Sequence, residues 1–241
     1  MKIHENIKII GAGKGWIVVD KPCQVSVHNE PGRDLVSLVA SMVGNDPVLC
    51  KETGYSKSSG ISPVHRLDRE TSGVMILSAH RETAAWFSAQ FEERRVKKTY
   101  VALVHGQFDM GAGDECLWNR DLSQDAGGRE RPEGSGNKVA CATRVKLLDL
   151  SPHYSLIECE LLTGRQHQIR RHAKLAGHPV LGDQRYGSKR ALNYLKTQCS
   201  FERLALHSHH LSIVLPGNEE EKSFISPCPE CFLELMEKDR G

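Results

Sequence analysis

Hydrophobic residues occur along the chain both in short continuous runs and at helical spacing, which predicts strands and helices in mixed order. The apolar runs WIVVD (Trp16–Asp20), GVMILSA (Gly73–Ala79) and TYVALVH (Thr99–His105) predict strands. Asp34 is placed to cap a helix that ends at Gly44, with apolar residues at positions 35, 38, 39 and 42. A second helix is predicted over residues 81–94, and the polar stretch 45–62 is predicted as a loop.

The second half of the chain continues the mixed pattern. The predicted elements are β-like runs at 138–149 and 154–162, a helix that opens at Thr163-Gly164 and ends at Gly177, a strand over Arg203–Leu215, and a helix from Pro229 to about Glu237 with Phe232, Leu233 and Met236 on its apolar side. The strands are not separated by regular crossover helices. The pattern therefore predicts an α+β fold with a mixed, largely antiparallel central sheet and flanking helices.

The chain of 241 residues shows no internal repeat and is expected to form a single domain over residues 1–241. The Gly-rich stretch 109–137 has little apolar content and is predicted to be a partly mobile surface insert. Residues 217–241 form an acidic C-terminal segment, with seven acids against three bases. Its negative charge offsets that of a basic segment, residues 165–190, so the total charge of the chain is close to zero.

Charge and hydropathy narrow the class of protein. No run approaches the roughly 18 apolar residues that a membrane helix needs, and MKIHENIKII lacks the features of a secretory signal, so a cytoplasmic location is expected. The net charge is only +2, but the stretch from Arg165 to Arg190 carries seven Lys or Arg and one acid. Such a segment could meet several phosphates of a nucleic acid, or it could be a solvated face.

The stretch HRLDRETSG, from His65 to Gly73, carries the clearest candidate chemistry. It places the carboxylate of Asp68 between the guanidinium groups of Arg66 and Arg69, in a loop that leads into a predicted strand. The flanking cations favour the ionised carboxylate, as a nucleophile beside a polyanion requires. The alternatives are a salt bridge within the loop and a turn capped by Asp68.

A second cluster begins at Thr163 and places Arg165 in the first turn of the predicted helix, on one face with Ile169 and His172. From there Arg165 could reach a buried carboxylate. The bases Arg170, Arg171 and Lys174 are expected elsewhere around the helix, free for phosphates. An amphipathic helix with a solvated basic side is the alternative.

Tyr100 lies on an otherwise apolar strand face. It is either a core tyrosine or a group that stacks on a base and relays a proton.

Two short motifs are set aside. GAGKG (Gly11–Gly15) lacks the spacing of a phosphate-binding loop and is predicted to be a turn. Cys228 and Cys231 have the spacing of metal ligands, but no second such pair exists, so free cysteines are expected and no metal site is predicted.

Four stretches, in order, resemble the motifs of the RluA-type RNA pseudouridine synthases, and the resemblance runs from about Trp16 to Leu215. They are HRLDRETSG, KKTYVALVHG, LLTGRQHQIRRHAKLAGHPVLGDQRYG and RLALHSHHL. These enzymes break the glycosidic bond of a uridine in RNA and rejoin the uracil to the ribose through C5. The resemblance implies the pseudouridine synthase fold, no metal or organic cofactor, and an RNA substrate, either tRNA or rRNA.

The resemblance also implies roles for individual residues. Asp68 falls on the essential aspartate, Arg165 on the arginine that pairs with it, and Tyr100 on the active-site tyrosine. Arg66 falls on the residue that occupies the space left by the flipped uridine, and Gln24 replaces a glycine common in the family. A monomer without an obligatory protein partner is implied. Many members of the family carry an S4-type RNA-binding domain ahead of the catalytic domain, but only about 15 residues precede the first predicted strand here, so no such domain is expected.

Two other classes remain as alternatives. One is a non-catalytic RNA-binding protein of the same fold, which loss of Asp68 or Arg165 would indicate, yet both are present. The other is a glycoside hydrolase, which needs a second carboxylate near Asp68, and Glu70 is the only acid close in sequence.

Overall fold

A computed structural model of the chain describes residues 7–241. Residues 1–6, part of the stretch in which no secretory signal is predicted, lie outside the described range. In chain order the elements are β1 (Lys8–Gly13), β2 (Trp16–Lys21), α1 (Leu35–Asn45), α2 (Pro47–Thr53), β3 (Ser62–Pro63), β4 (Ser72–Ser78), α3 (Arg81–Glu92), β5 (Lys97–His105), β6 (Glu115–Trp118), β7 (Leu122–Ser123), β8 (Lys138–Val139), β9 (Thr143–Leu150), β10 (Tyr154–Leu161), α4 (Gln168–Leu175), α5 (Lys189–Cys199), β11 (Leu206–Val214), β12 (Glu221–Ile225) and α6 (Glu230–Arg240).

The chain divides into two compact units. The first contains the residues up to Lys98 together with Ser208–Ser226, and the second contains Thr99–His207 and Pro227–Gly241. The chain crosses between the units within β5, within β11 and after Ser226. The expectation of a single catalytic domain over residues 1–241 stays a prediction.

The first unit is built on a sheet in which β1, β2, β4 and β11 are neighbours, with β3 paired to β4 and β12 to β11. The pairs β1–β2, β2–β4, β3–β4 and β11–β12 are antiparallel. One face of this sheet carries a core that includes Trp16, Ile76, Phe87, Leu211 and Phe224, all buried. Burial of such side chains stabilises the unit by about 1.5–3 kcal/mol each.

The second unit is built on the strand order β5-β10-β9-β6, in which each neighbouring pair is antiparallel. A separate two-stranded sheet is formed by β7 and β8. Helix α4 contributes buried Ile169 and Ala173, and α6 contributes buried Phe232, Leu235 and Met236.

The predicted fold class is confirmed, because the described residues form a mixed sheet with antiparallel strands and six helices, an α+β arrangement. Helix α1 begins after Asp34, whose side chain accepts the Ser37 N–H, as its position in the sequence predicts. No helix within residues 7–241 has both the length and the apolar character that crossing a membrane requires.

Several local predictions are wrong. The stretch 45–62 contains α2, because Asp46 caps it and Pro47 occupies its first turn. Helix α4 begins at Gln168 rather than near Thr163, since His167 adopts a left-handed conformation at φ 54°. At the other end of the chain, Leu233 is 46% exposed and Leu235 is buried instead.

The stretch 109–137 is not only a surface excursion, because it contains β6 and β7 and buries Leu122 and Ala126. Helix α5 and strand β12 had not been predicted. Most of the GAGKG motif lies in a β-hairpin: Gly11–Gly13 belong to β1 and the turn falls at Lys14-Gly15, with Gly15 at φ 82°.

Gly73, at the start of β4, has no room for a side chain. Its φ is 110°, and a Cβ added there would lie 2.1 Å from the carbonyl oxygen of Ser208 in the neighbouring strand β11. The glycine is thus required twice, by its backbone conformation and by the close approach of the strand. It fixes how the segment containing Asp68 enters the sheet.

We predict that Gly73→Ala lowers the free energy of unfolding by about 2–4 kcal/mol, because strain and steric overlap add. Gly32→Ala is the matched control, since Gly32 also has a positive φ (79°) but no atom within 4 Å of an added Cβ. It should lose only about 1–2 kcal/mol. Urea unfolding measures both, and equal losses would contradict the role assigned to the Ser208 contact.

Candidate active site

Asp68 lies in the loop that leads into β4 in the first unit. The Thr71 N–H donates to the Asp68 carbonyl oxygen at 3.1 Å, which closes a turn over residues 68–71. Leu67 and Thr71 are buried on either side, while Asp68 is half-buried. The loop is therefore anchored around a carboxylate that keeps partial access to solvent.

Lys21, at the end of β2, is hydrogen-bonded to this loop through its side chain. The side chain is completely buried, and its Nζ donates to the carbonyl oxygens of Val25 at 2.8 Å, Pro22 at 3.1 Å and Arg69 at 3.2 Å. Sequence reasoning missed this residue, because a lysine beside a proline reads as the end of a strand and lysines are almost never fully buried. No signal in the neighbouring sequence indicates that Lys21 binds the backbone of Arg69, the residue after Asp68.

His65 supports the same loop from its other end. Its Nε2 accepts the Ile76 N–H of β4 at 3.1 Å, and its ring stacks on Phe91 with centroids 4.7 Å apart. Burial, with a further contribution from the Lys98 charge, lowers the pKa of His65 to about 3. The imidazole is therefore neutral at physiological pH and carries its proton on Nδ1.

The two arginines that flank Asp68 are exposed. Arg69 pairs with Glu30 at 3.4 Å, with side chains 57% and 42% exposed, and such a pair contributes little stability. Arg66 makes no hydrogen bond or ion pair with any residue in the described range 7–241. Both guanidinium groups therefore remain accessible to a ligand.

Arg165, in the second unit, lies in a turn that precedes α4, not in the first turn of the helix as predicted. The buried side chain of Gln168 holds this turn, since its Oε1 accepts the Arg165 N–H at 3.0 Å and the Thr163 hydroxyl at 2.8 Å. The Nε of Arg165 is buried and has no hydrogen-bond partner within residues 7–241. The side chain is thus partly desolvated with donor capacity left over.

His172 and Ile169 are buried on α4, but the predicted common face with Arg165 does not form, because Arg165 precedes the helix. His172 Nδ1 lies 2.9 Å from the Thr143 hydroxyl, and its Nε2 lies 2.9 Å from the Arg120 carbonyl oxygen. Burial lowers the pKa of His172. Its ring therefore links α4 to the start of β9 as a neutral hydrogen-bonding group.

Arg170 and Arg171 are not on the helix surface, and the expectation that both are free for phosphates is wrong. Arg170 is 3% exposed and forms a bidentate pair with the fully buried carboxylate of Asp183, at 2.7 and 2.9 Å. Arg171 is completely buried and donates to the carbonyl oxygens of Pro132, Ser123 and Glu133 at 2.5, 3.0 and 2.7 Å. Their hydrogen-bond donors are thus used inside the second unit.

Lys174 is partly exposed near the end of α4, and its predicted contact with RNA stays a prediction. Arg185 also uses its donors within the protein, on the carbonyl oxygen of Gly127. The basic segment 165–190 therefore offers fewer cations to a ligand than its composition indicates.

Tyr100 lies in β5 opposite Cys159 of β10 and is 6% exposed. It thus belongs to the second unit with Arg165, whereas Asp68, Arg66 and Arg69 belong to the first. Its burial fits either of the two interpretations offered for it.

Cys228 and Cys231 are half-buried at the start of α6, and burial raises the pKa of Cys228 to about 11. Within residues 7–241 no three His, Cys, Asp or Glu side chains come together in a way that could hold a metal ion.

The fold defines the class of protein first. The solved structure of human RNA pseudouridylate synthase domain containing 1 superposes with a TM-score of 0.73 at 23% identity, covering 95% of this chain and 88% of that one. This likeness shows a shared α+β fold.

The sequence then defines the family. The pattern described as RNA pseudouridylate synthase matches residues 15–175, and the chain belongs to this family. It is 34% identical over 210 residues to an uncharacterized RNA pseudouridine synthase of Chloroflexus aurantiacus, covering 87% of this chain. It is also 34% identical over 229 residues to ribosomal large subunit pseudouridine synthase D of Neisseria meningitidis, covering 91% of this chain. The chain spans 62% and 58% of the lengths of these two relatives.

We predict that acid destabilises the protein in part through His65. Its pKa in the folded protein lies below the ordinary value of 6.5, so the unfolded chain binds more protons between the two values. Stability is therefore lost as the pH falls below about 6.5. His65→Gln, which keeps an acceptor for the Ile76 N–H, should flatten this dependence by up to about 1.4 kcal/mol per pH unit.

Urea unfolding of the wild type and of His65→Gln between pH 7 and pH 4.5 measures this difference. If the free energy of unfolding falls equally with pH in the two proteins, His65 is not the buried neutral group described above.

Proposed function

We propose that this protein is an RNA pseudouridine synthase that converts specific uridines in structured RNA to pseudouridine, with Asp68 as its catalytic residue. The observation that carries the proposal is the family match over residues 15–175, which spans Asp68, Tyr100 and Arg165. The proposed enzyme is a cytoplasmic monomer without an obligatory protein partner.

The reaction conserves all atoms of the nucleotide. The bond between N1 and C1′ breaks, the uracil turns while bound, a bond forms between C5 and C1′, and the C5 proton is lost while N1 is protonated. Asp68 either attacks C1′ or removes the C2′ proton to give a glycal, and both routes require an ionised carboxylate beside the ribose. The half-buried position of Asp68 in an anchored loop supports such a role, because its backbone is held while the residue keeps partial exposure.

Arg66 is proposed to fill the space that the target uridine leaves when it flips out of its stack, which costs a few kcal/mol. Its exposure two residues before Asp68 supports this role, as does the lack of a protein partner within residues 7–241. Arg69 and Lys174 are proposed to contact phosphates. Arg170 and Arg171 are left out of this role because their side chains are buried and already hydrogen-bonded.

Arg165 is proposed to pair with the catalytic carboxylate. Its buried Nε supports this role, because this atom has no hydrogen-bond partner within residues 7–241 and can still donate. Tyr100 is proposed to stack on the uracil and to assist removal of the C5 proton, a contribution typical of general acid–base catalysis at about 10²–10⁴-fold. Its position supports this role because it lies on a strand whose residues from Tyr100 to Val104 are buried.

The substrate is proposed to be tRNA or rRNA. The Neisseria relative is named for the large ribosomal subunit, which makes large-subunit rRNA the first substrate to test. Recognition by shape and phosphate contacts is expected for structured RNA.

We predict that Asp68→Asn keeps RNA affinity within about threefold, because the substitution is isosteric, and loses turnover by at least about 10³-fold, because the reacting carboxylate is removed. The assay uses total RNA from cells that lack this gene, tritiated at C5 of uridine, and measures the tritium that the reaction releases. Filter binding of the same RNA gives the affinity.

Asp109→Asn is the matched control, since Asp109 is an exposed aspartate remote from the proposed machinery in sequence, and it should keep wild-type turnover. Normal tritium release by Asp68→Asn would refute the catalytic assignment. RNA binding without release by the wild type would instead indicate the non-catalytic RNA-binding protein.

A further inference from the structure

We propose that Gln168 and Arg171 are positioning residues that orient Arg165 by holding the backbone of its turn at the Arg165 N–H and at the Gln166 carbonyl oxygen. The inference rests on the proposed function for its catalytic consequence. The two side chains come from the first turn of α4 and are 2% and 0% exposed. Both reach back to the turn that carries Arg165.

Gln168 uses both ends of its amide. Oε1 accepts the Arg165 N–H at 3.0 Å and the Thr163 hydroxyl at 2.8 Å, while Nε2 donates to the Ala142 carbonyl oxygen and to the Thr143 hydroxyl, both at 2.9 Å. One side chain thereby joins the Arg165 turn to the start of β9. Because a buried amide must satisfy both its oxygen and its nitrogen, this arrangement admits few alternatives.

Arg171 holds the same turn at the carbonyl oxygen of Gln166. Its Nη1 donates to the carbonyl oxygen of Gln166 at 3.3 Å and to that of Ser123 at 3.0 Å, and its other nitrogens bind Pro132 and Glu133. The guanidinium thus braces the turn against the stretch 123–133. Its planar fork of five donors suits several carbonyl oxygens at once, which the ammonium of a lysine cannot match in the same geometry.

The backbone of the turn needs this support because it is irregular. His167 is left-handed at φ 54°, and the turn itself is closed by one backbone bond, from the Gln168 N–H to the Arg165 carbonyl oxygen at 3.1 Å. The Nε of Arg165 has no partner within residues 7–241, so nothing at that atom fixes the direction of the side chain. Its direction is therefore set through the peptide frame that Gln168 and Arg171 hold.

The test compares Gln168→Met, which removes all four hydrogen bonds at similar volume, with Gln168→Asn, which keeps a buried amide that is one carbon too short. Gln198→Met is the matched control, since Gln198 is exposed on α5. Hydrogen exchange of the peptide containing Arg165 gives a readout independent of activity. Both Gln168 variants should exchange faster there, with the rest of the second unit unchanged.

Turnover of the tritiated RNA gives the second readout. A misplacement of about 1 Å can cost 10²-fold, so kcat should fall by about 10–100-fold in both variants while KM stays within about threefold. Arg171→Lys should show the same pattern. In an Arg165→Lys background the Gln168 effect should largely disappear, because a residue that acts through Arg165 is not additive with it.

Unchanged exchange at Arg165 in both Gln168 variants would overturn the inference, whatever the activity. So would a fall in kcat that multiplies fully with Arg165→Lys, since that indicates a general structural effect. If the wild type releases no tritium while the exchange differences appear, the proposed function fails and the positioning stands.

Discussion

The packing of the stretch 123–133 in the second unit depends on one buried guanidinium group, that of Arg171. A cation removed from water has to be satisfied by the protein, and here backbone carbonyl oxygens supply the acceptors. This requirement explains why part of a Gly-rich stretch with little apolar content is packed, with residues such as Leu122 and Ala126 buried. It also explains why Arg171, in a segment rich in Lys and Arg, is not at the surface.

The first unit uses a similar device at Lys21. Its ammonium group binds three carbonyl oxygens, one of them from Arg69, and so ties the end of β2 to the loop of Asp68. In each unit, a buried cation holds a loop that carries a candidate catalytic residue. Backbone carbonyl oxygens are suitable acceptors for this purpose, because they belong to the loop itself. The candidate side chains are thereby positioned through their backbone.

Local signals in the sequence predicted much of the fold. The Asp34 cap and the apolar runs of β4 and β5 act through neighbouring residues, so they could be recognised without the structure. The family resemblance is confirmed by the match over residues 15–175. The roles of Arg170 and Arg171 could not be predicted, because Asp183 lies 13 residues from Arg170, and three of the carbonyl oxygens that Arg171 binds lie 38–48 residues away in sequence. The left-handed His167 likewise has no signal that separates it from a helical residue.

We propose that this chain makes pseudouridine in cellular RNA by means of Asp68. Carbodiimide chemistry that stops reverse transcription at pseudouridine maps the modified sites in total RNA from cells with and without the gene. We expect one or a few sites to disappear without the gene and to return with the wild-type protein but not with Asp68→Asn. Return of those sites with Asp68→Asn, or no site that depends on the gene, would contradict it.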